Sequence, residues 1–106
     1  MSALDTIREQ VTGNTVVLYM KGTPQAPQCG FSSNAAQILN ACGLQDFLAV
    51  NVLADREIFQ NLPAYANWPT FPQLYVKGEL VGGSDIMTEM YQKGELQKLL
   101  EEAQAA

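Results

Sequence analysis

The sequence predicts one α/β domain over residues 1–106, with a four-stranded mixed sheet flanked by about five helices. Its 106 residues, 47% apolar and 16% charged, suit a single globular domain. In the first half, short apolar runs alternate with amphipathic helical patterns, which favours a crossover between parallel strands. In the second half, two short apolar runs flank Lys77-Gly78, which favours an antiparallel hairpin. A crossover joined to a hairpin gives a mixed sheet.

The first half contains two predicted helices with a strand between them. Ser2 and Asp5 have the form of a capping box, which predicts that a helix begins there. Val16 to Met20 is a β-branched run that predicts a buried strand. A second helix follows Cys29, and its predicted apolar face comprises Phe31, Ala35, Ile38, Leu39 and Cys42.

The second half supplies the remaining elements. Phe47 to Val52 predicts a second strand, and Asp55 is positioned to cap a third helix. That helix is expected to fade near Pro63, because proline lacks the N–H that a helix interior needs. The other predicted elements are strands over Gln73–Val76 and Glu79–Val81, a helix that starts at Ser84-Asp85, and a last helix from Glu95 to about Ala103.

Charge and residue counts exclude several classes of function. Eleven acidic residues against six basic residues give a net charge of -5, which argues against nucleic acid or a membrane surface as a partner. The chain has no histidine, which removes histidine metal sites and Cys–His catalytic pairs. The N-terminus lacks the pattern of a signal peptide, and two cysteines cannot form a secreted disulfide framework. A cytoplasmic location is therefore expected.

Cys29 is the candidate reactive group. It follows a predicted strand and a proline-marked loop, at the first turn of a helix, where backbone N–H groups and the helix dipole favour a thiolate. Lys21, at the end of the strand, adds a positive charge. Cys29-Gly30-Phe31-Ser32 has the C-x-x-C arrangement with serine in the second cysteine position, so no neighbouring thiol can resolve a mixed disulfide. A small apolar filler is the alternative interpretation, which the exposed junction disfavours.

Cys42 has a different interpretation. It continues the apolar stripe of the second helix, which predicts a buried and inert side chain rather than a resolving thiol. A helix rise of ~1.5 Å per residue places its sulfur about 20 Å from that of Cys29, too far for a disulfide. One chain therefore offers one usable thiol.

Two further segments are candidate binding sites. Statistics of X–Pro bonds predict a trans Phe71–Pro72 bond, whereas a cis bond would turn the backbone of Phe71 toward a ligand. The segment Gly82 to Asp85 allows close approach of a ligand and offers a helix N-terminus that can receive a carboxylate. A plain exit from the hairpin, with serine or aspartate as the helix cap, explains that segment equally well.

Taken in order, these segments resemble the monothiol glutaredoxins of the CGFS class, which have a thioredoxin-like fold. The resemblance extends over nearly the whole chain. The matching segments are Lys21-Gly22-Thr23-Pro24, Pro27, Cys29-Gly30-Phe31-Ser32, Trp68 to Tyr75, Gly78 to Gly83, Met90-Tyr91 and Gly94-Glu95-Leu96.

The resemblance implies a glutathione site. It places Cys29 at the glutathione sulfur, Lys21 at the glycyl carboxylate, and the backbone of Phe71, before a cis Pro72, along the tripeptide. That family usually has a basic residue where this chain has Phe59, and Arg56, one turn earlier, is the hypothesised substitute. The implied glutathione-binding residues are Lys21, Cys29, Phe31, Arg56, Thr70, Phe71, Pro72, Gly83, Ser84 and Asp85.

The same resemblance implies a carrier of a [2Fe–2S] cluster. Such a cluster needs four ligands, so two Cys29 thiolates and two glutathione molecules would hold it between two chains. The expected form is a homodimer with the cluster and a monomer without it, with BolA-like proteins and iron–sulfur recipient proteins as partners. The alternative is a glutathione-dependent deglutathionylase acting through Cys29. The loop between Lys21 and Cys29 is lengthened by Thr23 to Gln28 and is expected to obstruct the approach of a second glutathione to Cys29. This favours the carrier, so any enzyme activity is expected to be weak.

Overall fold

The computed structural model describes residues 2–105. Its helices and strands follow the predicted order, with one addition, a pair of two-residue strands before Cys29. The helices are α1 (Ala3–Gly13), α2 (Gly30–Ala41), α3 (Arg56–Ala66), α4 (Ser84–Gln92) and α5 (Glu95–Ala105). The strands are β1 (Val16–Met20), β2 (Gly22–Thr23), β3 (Ala26–Pro27), β4 (Leu48–Asn51), β5 (Gln73–Val76) and β6 (Glu79–Gly82).

The main sheet is mixed, as predicted, with strand order β4-β1-β5-β6. Strand β1 pairs in parallel with β4 and antiparallel with β5, and β5 pairs antiparallel with β6. All five residues of β1 are buried, because this strand lies inside the sheet and helices cover both of its faces.

Two apolar clusters hold the helices against the two faces of the sheet. Side chains alternate along a strand, so Leu18 and Met20 enter one cluster while Val17 and Tyr19 enter the other. The first cluster packs the sheet against α2, α4 and α5, and the second packs it against α1 and α3. Helix α2, which follows Cys29, is therefore fixed to the sheet by its buried face.

Helix α3 differs from the prediction that it fades near Pro63, because it continues to Ala66. The buried side chains Ile58 and Leu62 keep its inner face against the second cluster. The carbonyl of Pro63 accepts hydrogen bonds from the backbone N–H groups of Asn67 and Trp68, which closes the helix beyond the proline. Packing and a well-formed C-terminus thus outweigh the hydrogen bond that the proline cannot donate.

The predicted N-terminal caps of α1 and α3 are confirmed. The side chain of Ser2 accepts a hydrogen bond from the N–H of Asp5 at 3.2 Å. The carboxylate of Asp55 accepts one from the N–H of Ile58 at 3.2 Å. Each bond satisfies a backbone donor that the helix itself leaves without a partner.

Candidate functional site

Cys29 is the N-cap residue of α2, at the point where the chain leaves the β2–β3 hairpin. Its pKa lies below that of an ordinary cysteine, because the thiolate accepts a hydrogen bond from the backbone N–H of Ser32. Burial acts in the opposite direction and raises the pKa, while the N–H of Phe31, the positive charge of Lys21 and the Ser32 hydroxyl lower it further. The sequence prediction of a thiolate at a helix N-terminus agrees with this geometry.

Ser32 is fully buried and connects the strand that precedes the site to the helix that follows it. Its hydroxyl oxygen accepts a hydrogen bond from the backbone N–H of Lys21 at 2.9 Å. The carbonyl of Lys21 in turn accepts one from the N–H of Gln28 at 2.9 Å. The backbone of Lys21 is therefore held on both sides, which fixes where its side chain leaves the chain.

The segment between Lys21 and Cys29 is a hydrogen-bonded hairpin, although the sequence predicts only a loop. The N–H of Gly22 donates to the side-chain oxygen of Asn51 at 2.9 Å, and the N–H of Ala26 donates to the Thr23 hydroxyl at 3.1 Å. Gly22 has a φ of +93°, and a Cβ atom there would lie 2.5 Å from the carbonyl oxygen of Ala26. A glycine is required at this position.

A cleft of about 670 Å³ opens beside Cys29. Its walls come from the end of β1, the start of α2, the middle of α3, the segment before β5 and the start of α4. The lining residues are Lys21, Cys29, Phe31, Phe59, Pro63, Trp68, Pro69, Thr70, Phe71, Pro72, Gly83, Ser84, Asp85 and Ile86.

The cleft brings together every residue of the predicted glutathione site except Arg56. Arg56 is the first residue of α3 and is exposed, while Phe59, one turn later, lies in the wall. Residues three apart on a helix are neighbours on its surface, but Arg56 is not among the residues that line the cleft. The role of Arg56 as a substitute anchor stays a prediction.

Phe31 departs from its predicted place on the apolar face of α2. Its side chain is 63% exposed and lines the cleft, whereas Ala35 and Leu39 of the same stripe are buried. Phe31 lies in the first turn of α2, at the end of the helix, where the sheet and neighbouring helices cover less of its surface. Helical spacing does not show where this cover ends, so it overestimates the burial of Phe31. The placement agrees with the binding role that the resemblance implies for Phe31.

The side chain of Gln73 forms hydrogen bonds that fix the backbone of the segment from Trp68 to Pro72. The Phe71–Pro72 bond is cis, so the statistical expectation of a trans bond is wrong and the expectation from the resemblance is confirmed. The Gln73 side chain is fully buried and donates to the carbonyls of Trp68 at 2.9 Å and Thr70 at 3.2 Å. Gln73 was not predicted to support the site, and its signal in the sequence is a polar residue at the start of an apolar strand.

The first turn of α4 is not capped by a side chain, which corrects the prediction of a serine or aspartate cap. The N-cap residue is Gly83, and the hydroxyl of Ser84 instead accepts a hydrogen bond from Asn34 at 2.7 Å. A Cβ atom on Gly83 would lie 3.2 Å from the carbonyl oxygen of Pro72 and 3.5 Å from Nε1 of Trp68. That Nε1 atom is buried and has no hydrogen-bond partner among the described residues.

One cationic and one anionic side chain line the cleft, together with several apolar rings. Lys21 contributes the positive charge and Asp85 the negative charge among the lining residues. The Lys21 Nζ atom lies 5.9 Å from the centre of the Phe59 ring, which in turn lies 5.2 Å from the ring of Phe71. Such an arrangement suits an elongated ligand with charged ends.

A second groove, of about 730 Å³, lies along the other side of the β2–β3 hairpin. It is bordered by α2 and the start of β4, and every side chain that lines it is neutral. It contains no thiol, carboxylate or cation, so the Cys29 cleft is the better candidate for chemistry.

Cys42 is the C-cap residue of α2, at the opposite end of the helix from Cys29. It is half-buried rather than buried and packs against the first apolar cluster. Burial raises its pKa above that of an ordinary cysteine, which disfavours the thiolate. Its predicted role in packing agrees with this position.

Neither a metal centre nor a membrane span is found in the described part of the chain. Residues 2–105 contain no group of three or more cysteine, aspartate or glutamate side chains arranged to hold a metal ion. Within the same residues, no helix is long and apolar enough to cross a membrane.

Fold and site together define a protein of the thioredoxin-like class with one activated cysteine at a helix N-terminus. The chain belongs to the glutaredoxin family, whose model matches residues 16–81. It is 61% identical over 90 residues to a probable monothiol glutaredoxin, GrlA, of Legionella pneumophila, which covers 85% of this chain and 100% of that one. It is 54% identical over 104 residues to Glutaredoxin 4 of Escherichia coli strain K12, covering 98% of this chain and 90% of the other. Its class is therefore that of the monothiol glutaredoxins.

Solved structures agree with this assignment. The solution structure of reduced poplar apo GrxS14 superposes with a TM-score of 0.82 at 47% identity, over 96% of this chain and 93% of that one. A buckwheat glutaredoxin–glutathione complex superposes with a TM-score of 0.84 at 23% identity, over 97% of this chain and 91% of that one. The second likeness concerns the fold alone.

Proposed function

We propose that this monothiol glutaredoxin binds glutathione in the Cys29 cleft and carries a [2Fe–2S] cluster between two copies of the chain. The observation that carries the proposal is a single activated thiol at the edge of an open cleft. The other cysteine of the chain, Cys42, lies at the far end of α2. A cluster held by four ligands then requires thiolates from a second chain and from small molecules.

The donor groups of the cleft fit glutathione. Glutathione has a carboxylate at its glycyl end, a thiol in the middle, and a carboxylate with an ammonium group at its γ-glutamyl end. Lys21, beside Cys29, suits the first carboxylate, and the uncapped N-terminus of α4 suits the second. Asp85 suits the ammonium group, and the buried Nε1 of Trp68 is a donor that lacks a partner among the described residues.

Counting thiolates gives the assembly. Each chain contributes Cys29, so two chains and two glutathione molecules supply four sulfur ligands for one cluster. The protein is then a homodimer when it carries the cluster and a monomer when it does not. Because the glutathione molecules bind without a covalent bond to the chain, half of the ligands can leave with the cluster, which suits delivery to a recipient protein.

The lowered pKa of Cys29 favours a second candidate, a deglutathionylase. The Cys29 thiolate would attack the glutathione sulfur of a protein mixed disulfide, releasing the protein thiolate and forming a Cys29–glutathione disulfide. A second glutathione thiolate would then release glutathione disulfide and restore the Cys29 thiolate. Cluster carriage is the principal proposed role and deglutathionylation the second, and both use the Cys29 thiolate.

The proposed partners follow from the same role. BolA-like proteins and iron–sulfur recipient proteins are the proposed partners of the holo form. The cytoplasm is the proposed compartment, because a reducing environment keeps Cys29 as a free thiol.

Anaerobic reconstitution with iron, sulfide and glutathione tests the proposal. Visible charge-transfer bands should elute with a dimer on size-exclusion chromatography, and should be lost in the Cys29→Ser variant or without glutathione. Cys42→Ser is the matched control and should keep both the bands and the dimer. A colourless monomer from the wild-type chain contradicts cluster carriage and makes deglutathionylase kinetics the next measurement.

A further inference from the structure

Asn34 joins two of the three helices that border the cleft, α2 and α4. Its side-chain nitrogen, on α2, donates to the hydroxyl of Ser84 at 2.7 Å and to the hydroxyl of Thr88 at 2.9 Å, both on α4. Helix α2 begins directly after Cys29, and α4 begins at Ser84. One amide therefore connects the helix of the thiol to the helix at the other end of the cleft.

This connection uses the full donor capacity of the amide. The NH₂ group of asparagine has two hydrogens, and the two hydroxyls of Ser84 and Thr88 accept one each. Among the described residues, these are the hydrogen bonds between side chains of α2 and α4. Other contacts between the two helices are packing contacts, which fix a distance less sharply than directional bonds do.

Asn34 also determines what Ser84 can offer to a ligand. Because the Ser84 oxygen accepts from Asn34, the hydroxyl hydrogen remains available to donate. Ser84 lines the cleft, and no side chain caps the first turn of α4. That end of the cleft consequently presents backbone N–H groups and a hydroxyl, all of which are donors that suit a carboxylate.

We propose that Asn34 is the positioning residue of the γ-glutamyl end of the site. It holds the N-terminus of α4 at the distance from the Cys29 sulfur that one glutathione molecule spans. The site then distinguishes glutathione from thiols that lack the γ-glutamyl group. This inference rests on the proposed glutathione site and adds the residue that sets its specificity.

The test is thiol–disulfide exchange at Cys29, followed by intact mass spectrometry. Reduced protein reacts with glutathione disulfide, so that the Cys29 thiolate forms a mixed disulfide with one glutathione and releases the other as a thiolate. The same reaction with the disulfide of cysteinylglycine supplies the comparison, since that dipeptide has the same thiol and glycyl carboxylate but no γ-glutamyl group. The ratio of the two equilibrium constants measures discrimination at the γ-glutamyl end.

Asn34→Ala should lower the equilibrium constant for glutathione about tenfold and leave that for cysteinylglycine nearly unchanged, because only the first ligand reaches α4. Gln37→Ala is the matched control, since the Gln37 amide bonds only to Ser33 on its own helix. It should leave both constants unchanged. Alkylation of Cys29 across pH should show the same midpoint in wild type and Asn34→Ala, because no atom of Asn34 contributes to the Cys29 pKa.

Two results would overturn the inference and can be told apart. If wild type prefers glutathione and Asn34→Ala keeps that preference, or loses affinity equally for both ligands, Asn34 does not position the γ-glutamyl end. If wild type forms both mixed disulfides equally well, the glutathione site itself is wrong, and the inference fails with it.

Discussion

Cys29 has an activated thiol because the first turn of α2 donates N–H groups to it, with Lys21 close by. Its half-exposed position lets a ligand sulfur or an iron atom reach it. Ser32 has two roles: its hydroxyl and backbone N–H donate hydrogen bonds to the Cys29 sulfur, and its hydroxyl oxygen accepts one from the backbone N–H of Lys21. Serine in the second cysteine position therefore stabilises the Cys29 thiolate, although a serine cannot form a disulfide with it.

The lowered pKa predicts how Cys29 reacts. Alkylation by iodoacetamide should have its midpoint at a lower pH than free cysteine, and Ser32→Ala should raise that midpoint by removing the side-chain hydrogen bond. Cys42 should react with a higher midpoint, because burial raises its pKa. Mass spectrometry of peptides labelled across pH measures both sites in one sample, and equal midpoints for the two cysteines would contradict the assignment.

The same shift predicts how stability depends on pH. A thiol whose pKa is lower in the folded state stabilises the fold when it is ionised, so this contribution is present above the pKa of the unfolded chain. It is lost as the pH falls through the pKa of the folded state. Urea denaturation across that range should show wild type gaining stability relative to Cys29→Ser as the pH rises. A constant difference between the two proteins would contradict a lowered pKa.

Phe59 makes the wall of the cleft beside Lys21 apolar. Its ring lies 5.9 Å from the Lys21 ammonium and occupies the wall where a second cation would strengthen binding of a carboxylate. Phe59→Arg should increase the exchange constant for glutathione about two- to fivefold at low salt, with the gain reduced at high salt. Phe59→Leu is the control and should show no such gain. An unchanged constant for Phe59→Arg would place the glycyl carboxylate elsewhere.

At the level of elements, the β2–β3 hairpin is the part of the site whose shape depends most on one residue. Gly22 has a φ of +93° and is closely surrounded by the backbone of Ala26 and Gln28. A left-handed conformation ordinarily costs a non-glycine residue about 1–2 kcal/mol. Gly22→Ala should lower the free energy of unfolding by more than that, because its Cβ atom would also clash with the backbone.

Gly13→Ala is the matched control for that change. A Cβ atom on Gly13 meets nothing within 4 Å, at the last residue of α1. Alanine there should leave the protein as stable or stabilise it by about 0.4–1 kcal/mol, because it restricts the unfolded chain. Urea denaturation of the two variants measures the difference, and similar stabilities would contradict the hairpin geometry.

The same elements show what the sequence could and could not predict. The order of elements along the chain and the caps of α1 and α3 were accessible, because alternation, turn residues and capping side chains act locally. The extension of α3 past Pro63 was not accessible, since it depends on burial of Ile58 and Leu62 against another part of the chain. The cap of α4 was misjudged for the same reason, as Asn34, distant in sequence, takes the Ser84 hydroxyl.

At the scale of the whole molecule, the fold brings the five walls of the cleft together around one sulfur. The predicted glutathione-binding residues other than Arg56 line this cleft, and they could be named from the sequence because they lie in family motifs. The apolar part, including Pro63, Trp68 and Ile86, was missed, since apolar residues in a sequence predict core as readily as a binding wall. Arg56 is exposed at the start of α3 and is not among the residues that line the cleft, so its role as a substitute anchor stays a prediction.

The net negative charge of the whole molecule affects how readily two copies of the chain associate. A net charge of -5 disfavours close approach of two identical chains, and in the proposed assembly the cluster and glutathione are what link them. Size-exclusion chromatography of the apo protein should therefore show a monomer at low salt. A stable apo dimer would contradict the idea that the cluster and glutathione hold the two chains together.

Native mass spectrometry of the reconstituted protein is the most direct test of the central claim. The expected mass is that of two chains, one [2Fe–2S] unit and two glutathione molecules, with iron and glutathione lost together on mild activation. The same assembly should be absent for Cys29→Ser and present for Cys42→Ser. A cluster bound to a single chain, or to two chains without glutathione, would contradict a site in which each chain supplies one thiolate.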